Sequence, residues 1–228
     1  MTKNIYFVRH GETEWNKLGL SQGSENDIEL NDNGKSQAKK TGFFFSNNKI
    51  NFDIILSSPM KRCLETANII AKEINYTDNI IINKNLTENG VGVIGGVSND
   101  ELFKNPFYKE FNKEMNFFNN LNKIQQNLLY NGEMPEVFIK KYKIENNKSR
   151  KLRGKRIINY LNKLDNKYKN ILVVSHNGFI NTLNKLILNS LDDIKGDLSN
   201  GKNCHLTYYK VSNSKWKLIC APNTLHLK

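Results

Sequence analysis

Four short apolar runs constrain the fold of this chain more than any other feature. They are Asn4 to Val8 (NIYFV), Ile54 to Leu56 within FDIILSSP, Asn79 to Lys84 (NIIINK) and Asn170 to His176 (NILVVSH). Their Ile, Val and Leu residues run on without polar alternation, which predicts strands covered on both faces, as in a parallel sheet between layers of helix. Helical spacing fills the gaps. After Ser58-Pro59, apolar residues fall at Met60, Leu64, Ala67, Ala71 and Ile74. Ser58 reads as the N-cap of that helix and Pro59 as its first residue. Ile157, Leu161 and Leu164 mark a second helical face, leading into NILVV. This alternation predicts a three-layer α/β/α sandwich with a mostly parallel sheet. The tail CHLTYYKVSNSKWKLICA reads as a hairpin turning at Asn213-Ser214, an antiparallel edge to that sheet.

The stretch from about 98 to 150 breaks the pattern. Phe103, Phe107, Phe111, Met115 and Phe118 form an aromatic stripe at helical spacing, started or interrupted near Pro106. The reading adopted is a helix packed onto the main domain; the alternative is a cap over a cleft. The Asn-rich and Lys-rich segments beyond it (NNLNKIQQN, KKYKIENNKSRK) read as loops or solvated helix faces. No repeat or linker divides the 228 residues, so the expectation is a single domain with a helical cap insertion at about 98–150.

The net charge of +12 favours anionic partners: nucleic acid, an acidic membrane or phosphorylated substrates. Its densest block is Lys140 to Arg156, whose Tyr142, with Tyr160 beyond, gives few aromatics for stacking on bases, so a solvated face is the better account. Cys63, Cys204 and Cys220 cannot all pair and lack metal-type spacing, which fits core thiols in a reducing compartment. The start has no apolar stretch of signal-peptide length, and no run approaches the roughly 20 residues of a membrane helix. The expectation is a soluble, cytoplasmic protein.

Ligands of an open parallel sheet bind at the carboxyl ends of its strands. Here those ends read Arg9-His10, Ser57-Ser58-Pro59 followed by Lys61-Arg62, and Ser175-His176. They would gather two arginines and two of the four histidines into a cationic pocket. Arg62 would sit in the first turn of its helix, where a cation is mildly unfavourable unless an anion binds there. Its bland reading is a surface arginine paired with Glu65.

The motifs RHGET (Arg9 to Thr13) with Trp15-Asn16, QG (Gln22-Gly23), ELNDNGKSQA (Glu29 to Ala38), SSPMKRCLETA (Ser57 to Ala67), LTENGVGVIGG (Leu86 to Gly96) and VVSHNG (Val173 to Gly178) follow in order. Together they resemble the histidine phosphatase superfamily, which includes cofactor-dependent phosphoglycerate mutases and many phosphatases. The resemblance implies that His10 is a nucleophile forming a phosphohistidine, with Arg9, Arg62 and His176 neutralising phosphoryl oxygens. It implies Glu88 as the acid and base for the leaving group and water, with Glu12 a weaker rival serving hydrogen bonding and structure. Asn16, Gln22, Gly23 and Asn177 would contact phosphate or substrate. No metal or other cofactor is implied; 2,3-bisphosphoglycerate enters only for a mutase.

Three segments depart from the family pattern. Ile94-Gly95-Gly96 stand where phosphatases often carry an aromatic, an acid and Gly, Lys148-Ser149 stand for Glu-Ser, and Asn177 stands for Gly. The mutases carry an Arg-His-Tyr-Gly element after the acid, and this chain has Asn89-Gly90-Val91-Gly92 there. The first reading is therefore a metal-independent phosphomonoester phosphatase. A phosphoglycerate mutase is second, and a non-catalytic basic binding protein third. The partner implied is a small phosphomonoester, with a phosphoprotein also open, no membrane, and nucleic acid ranked below these.

Overall fold

The computed structural model describes residues 2–105, 108–120, 136–188 and 201–228. Pro106, Phe107 and positions 121–135 lie outside the described residues, and with them part of the expected stripe and of the Asn-rich stretch. The chain forms two compact units. The first holds Met1–Glu14, Asp27–Glu88 and Lys151–Lys228; the second holds Trp15–Asn26 and Asn89–Arg150.

The first unit is built on a six-stranded sheet. Its strands are β1 (Thr2–Arg9), β2 (Ile54–Ser57), β3 (Ile81–Ile82), β4 (Asn170–Ser175), β5 (Leu206–Ser212) and β6 (Lys215–Asn223). Their order across the sheet is β3-β2-β4-β1-β5-β6. β1, β2, β3 and β4 run parallel, while β5 is antiparallel both to β1 and to β6 at the edge. The hairpin turns at Asn213 and Ser214, both at positive φ (50° and 59°), as a two-residue turn between twisted strands requires.

Helices cover both faces. Helix α2 (Asp32–Asn47) and helix α3 (Lys61–Glu73) bury Phe45, Cys63, Ala67 and Ile70 against Tyr6, Val8, Ile55 and Leu172. On the other face, helix α7 (Asn147–Lys163) and helix α8 (Asn177–Leu188) bury Ile157, Leu161, Phe179 and Leu183 against Ile5, Phe7, Val173 and Tyr209. Lys3 ties sheet to helix: its Nζ donates to the carbonyls of Leu161, Asn162 and Leu164, at the negative end of α7.

Two local expectations fail for identifiable reasons. The Asn79 to Lys84 run is not a strand covered on both faces. Only Ile81 and Ile82 pair, at the sheet's edge, and they stay 39% and 55% exposed. Helix α3 begins at Lys61 with Met60 as its cap residue, two positions later than Pro59, although the Ser58 hydroxyl does accept from Met60 N at 3.4 Å. The same hydroxyl is also used in the site.

The second unit contains α1 (Glu14–Lys17, entered from the first unit), α4 (Asn99–Lys104), α5 (Lys109–Asn120) and α6 (Glu136–Tyr142), and the chain leaves it through the first turn of α7. It has its own small core. Phe111 packs against Phe138 and Tyr142, with ring centroids 5.6 and 5.0 Å away, and Val93, Ile94, Leu102 and Ile144 surround them. At Phe111, then, the stripe contributes to the core of this unit. No helix among the described residues is long and apolar enough to cross a membrane.

Candidate active site

Register decides which side chains meet. Arg9 pairs with Ser175 and Ser57 with Val174, so β1, β2 and β4 end within one residue of each other. The residues that follow, His10, Ser58 and His176, project from the same edge. Backbone bonds hold them there: His10 N donates to Ser175 O at 2.9 Å, and Ser58 N to Val174 O at 3.0 Å. The His10 carbonyl accepts from Cys204 N and from Asn203 Nδ2, both at 3.2 Å. Arg9 is turned the same way, its Nη1 donating to the carbonyl of Gly201.

The imidazole of His10 is almost fully buried. Its Nδ1 lies 2.7 Å from the Gly11 carbonyl. A carbonyl can only accept, so Nδ1 carries the proton and Nε2 carries the lone pair. Burial, then the charges of Arg9 and Arg62, hold this imidazole well below its ordinary 6.5. It is therefore a neutral ring at neutral pH with the lone pair on Nε2.

His176 lies beside it, ring centroids 5.2 Å apart at 62°. Arg62 Nε donates to His176 Nδ1 at 3.3 Å, so the proton of His176 is on Nε2, which donates to Ser58 Oγ at 2.8 Å. Burial and the neighbouring cations also hold His176 well below 6.5. The Cys63 thiol packs 3.3 Å from His176 Nε2 and donates to the Ser175 carbonyl. Burial pushes that thiol up, so it is a protonated wall of the site and not a nucleophile.

Arg62 has no exposed surface, and Glu65, its candidate surface partner, instead accepts from Leu30 N. Thr66, one turn further along α3, donates to the Arg62 carbonyl at 2.7 Å and accepts from Gly11 N at 3.0 Å. It thereby fixes α3 to the segment that carries His10. Burial works against the charge on Arg9 and Arg62, and the Glu88 carboxylate works for it. Glu88 is half-buried, and its Oε2 accepts from Gly178 N, in the first turn of α8, at 3.1 Å.

The structure thus brings together Arg9, His10, Arg62, His176 and Glu88 from the expected set. Asn177 begins α8 next to them, half-buried. Glu12 has the structural part expected of it, accepting from Asn31 Nδ2 at 2.9 Å beside the start of α2. Asn16, Gln22 and Gly23 belong to the second unit. Asn16 lies on α1, half-buried, and Gly23 is packed so that a Cβ would fall 2.5 Å from Val91 and 2.4 Å from Glu25. Sequence reading missed Ser58 as the acceptor for His176, Cys63 as a wall, and Asn203 and Cys204 as supports of His10. Among the described residues no three His, Cys, Asp or Glu side chains come together in a way that would hold a metal ion.

A desolvated cationic cage around a neutral imidazole suits an anionic group. The family model described as histidine phosphatase superfamily (branch 1) matches residues 5–224. The chain belongs to that superfamily. A 2,3-bisphosphoglycerate-dependent phosphoglycerate mutase of Buchnera aphidicola subsp. Schizaphis graminum is 31% identical over 209 residues, 85% of this chain and 87% of that protein. Among solved structures, phosphoserine phosphatase from Entamoeba histolytica in complex with 3-phosphoglyceric acid is 26% identical, with a TM-score of 0.68 over 99% of this chain and 100% of that one. Phosphoglycerate mutase from Bacillus anthracis shares the fold at 20% identity, with a TM-score of 0.71 over 99% and 95% of the two chains. Relatives of this chain thus include both mutases and phosphatases.

Proposed function

We propose that the protein is a phosphomonoester phosphatase that works without a metal through a phosphohistidine on His10. The observation that carries the reading is the tautomer of His10: the Gly11 carbonyl fixes the proton on Nδ1 and presents a neutral Nε2 inside a cage with Arg9, Arg62 and His176. In the first step Nε2 attacks phosphorus, the N–P bond forms and the P–O bond to the alcohol breaks. The charge spread over the three equatorial oxygens meets the two guanidiniums and His176. Glu88, protonated at that moment, gives its proton to the departing oxygen. In the second step water attacks phosphorus, Glu88 takes the water's proton, the N–P bond breaks, and inorganic phosphate leaves with His10 restored.

A second reading, phosphoglycerate mutase, is favoured by the Buchnera relative and its cover of both chains. Against it, Asn89 to Gly96 (NGVGVIGG) contains no cation to hold the carboxylate of a triose. The phosphatase reading therefore stands first. The test is one assay with two readouts: 3-phosphoglycerate with a trace of 2,3-bisphosphoglycerate, and separately an aryl phosphate, both without metal. Phosphate released from the aryl ester without 2-phosphoglycerate is the expected result. Fast isomerisation with little phosphate would overturn it in favour of the mutase. His10→Ala should abolish turnover and incorporation of label from a phosphorylated substrate, and substantial activity in that variant would remove the phosphohistidine mechanism.

A further inference from the structure

We propose that Arg153 is a positioning residue for the Glu88 carboxyl, a proposal that rests on the reading of Glu88 as the proton donor. Arg153 lies in the basic run of α7, where its neighbours Lys151, Lys155 and Arg156 are exposed. Arg153 is half-buried and turned inward. Its Nη1 donates to the carbonyls of Asn85 at 3.0 Å and Thr87 at 2.8 Å, and its Nη2 to the carbonyl of Glu88 at 3.5 Å. The carbonyl between them, Leu86, accepts from the Ser175 hydroxyl at 2.7 Å. Every backbone carbonyl from Asn85 to Glu88 is thus held from outside the loop.

The other side of the guanidinium is fixed as well. Its Cζ lies 4.5 Å from the centroid of the Phe179 ring, which is fully buried. Phe179 follows Gly178, whose amide holds Glu88 Oε2. One planar fork therefore links the two segments that set the carboxyl: the backbone of its own loop and the first turn of α8. The loop between Asn83 and Glu88 has a single turn of 3-10 helix, Lys84–Leu86, and no other regular structure. Nothing in such a segment fixes a side chain to within the fraction of an ångström that proton transfer demands, unless its backbone is clamped. An arginine can bond three carbonyls in one plane while stacking on a ring; a lysine offers a point charge instead.

The experiment measures kcat/KM, kcat and KM on a series of esters from activated aryl phosphates to alkyl phosphates, for wild type, Glu88→Gln, Arg153→Met, Arg153→Lys and the double variant Glu88→Gln/Arg153→Met. A misplaced acid matters only where the leaving group needs a proton. Arg153→Met should therefore lose up to about 100-fold in kcat on alkyl phosphates and less than about threefold on the most activated aryl ester. KM should stay near wild type. Arg153→Lys, which keeps the charge near His176 and removes the fork, should show the same selectivity. The double variant should be no slower on alkyl phosphates than Glu88→Gln. Equal losses across the series, or full activity of Arg153→Lys on alkyl phosphates, would overturn the proposal. If Arg153→Met does not fold, the Lys variant decides by the same criterion. Glu88→Gln separates the two readings: equal losses there remove Glu88 as the acid, whereas a selective loss there with an unselective Arg153 removes only the positioning role.

Discussion

Replacing His205 by asparagine should blunt the acid sensitivity of the fold. His205 is fully buried at the start of β5. Its Nδ1 donates to the Lys202 carbonyl at 3.0 Å, so Nε2 carries the lone pair, and among the described residues Nε2 meets no hydrogen-bond partner. Burial first, then Arg9 and His226, bring this imidazole from 6.5 down to about 4, against the pull of the Lys202 carbonyl. The lowered value means that the native state resists a proton which the unfolded chain accepts. Stability is then present above 6.5 and lost as pH falls from there towards 4. At pH 5 the unfolded ring is about 97% protonated and the native ring about 10%, a difference of about 2 kcal/mol. Asparagine can still donate to Lys202 and does not titrate. Urea unfolding at pH 7.5 and at pH 5 would give the loss for each protein. The variant should lose about 2 kcal/mol less than wild type over that interval. Equal losses in the two proteins would refute the reasoning, because the remaining buried histidines are common to both.

Three further substitutions test the packing around the site. Ser58→Ala strips His176 Nε2 of its acceptor and should cost about 1–3 kcal/mol; an unchanged unfolding midpoint would show that the bond carries no weight. Gly34→Ala would place a Cβ 2.0 Å from the Glu12 carbonyl oxygen, where only backbone can give way. A loss of about 1–3 kcal/mol is expected, together with reduced turnover as the segment after His10 shifts, and an unaltered thermal melt would contradict the contact. Lys3→Met removes the cation from the last carbonyls of α7 and should lower stability by about 1–2 kcal/mol, read in the same melts; a rise in melting temperature would mean that burying the charge costs more than its bonds return.

The residues gathered at the candidate site were legible because they sit where strand runs stop, and strand ends of a parallel sheet converge. Arg62 was legible for a second reason, a cation at the positive end of its helix, and its complete burial beside His176 fits that argument. Ser58 shows the reach of a local rule: its hydroxyl accepts from Met60 N, as an N-cap residue would, but its second contact, with His176 118 positions away, has no local signal. Ile81 and Ile82 misled. An apolar run has the same appearance in the middle of a sheet and at its edge, and only strand order tells them apart. Arg153 could not be singled out from Lys151, Lys155 and Arg156 by composition. What distinguishes it is the loop that it meets, and that contact spans more than sixty positions. Asn203 and Cys204 gave no signal for the same reason.

The place of β1 in the sheet has a consequence for how the protein is made. Among the described residues β1 pairs only with β4 and β5. It is translated well before either neighbour, and the contact between Asn203 and His10 closes a span of 193 positions. Pairings of such long range form after local helices and turns. β2 and α3 can associate early, but the strand bearing Arg9 and His10 stays without its neighbours until synthesis has passed β5. A strand made early is thus completed late, and the cluster around His10 comes together only once β4 and β5 are in place.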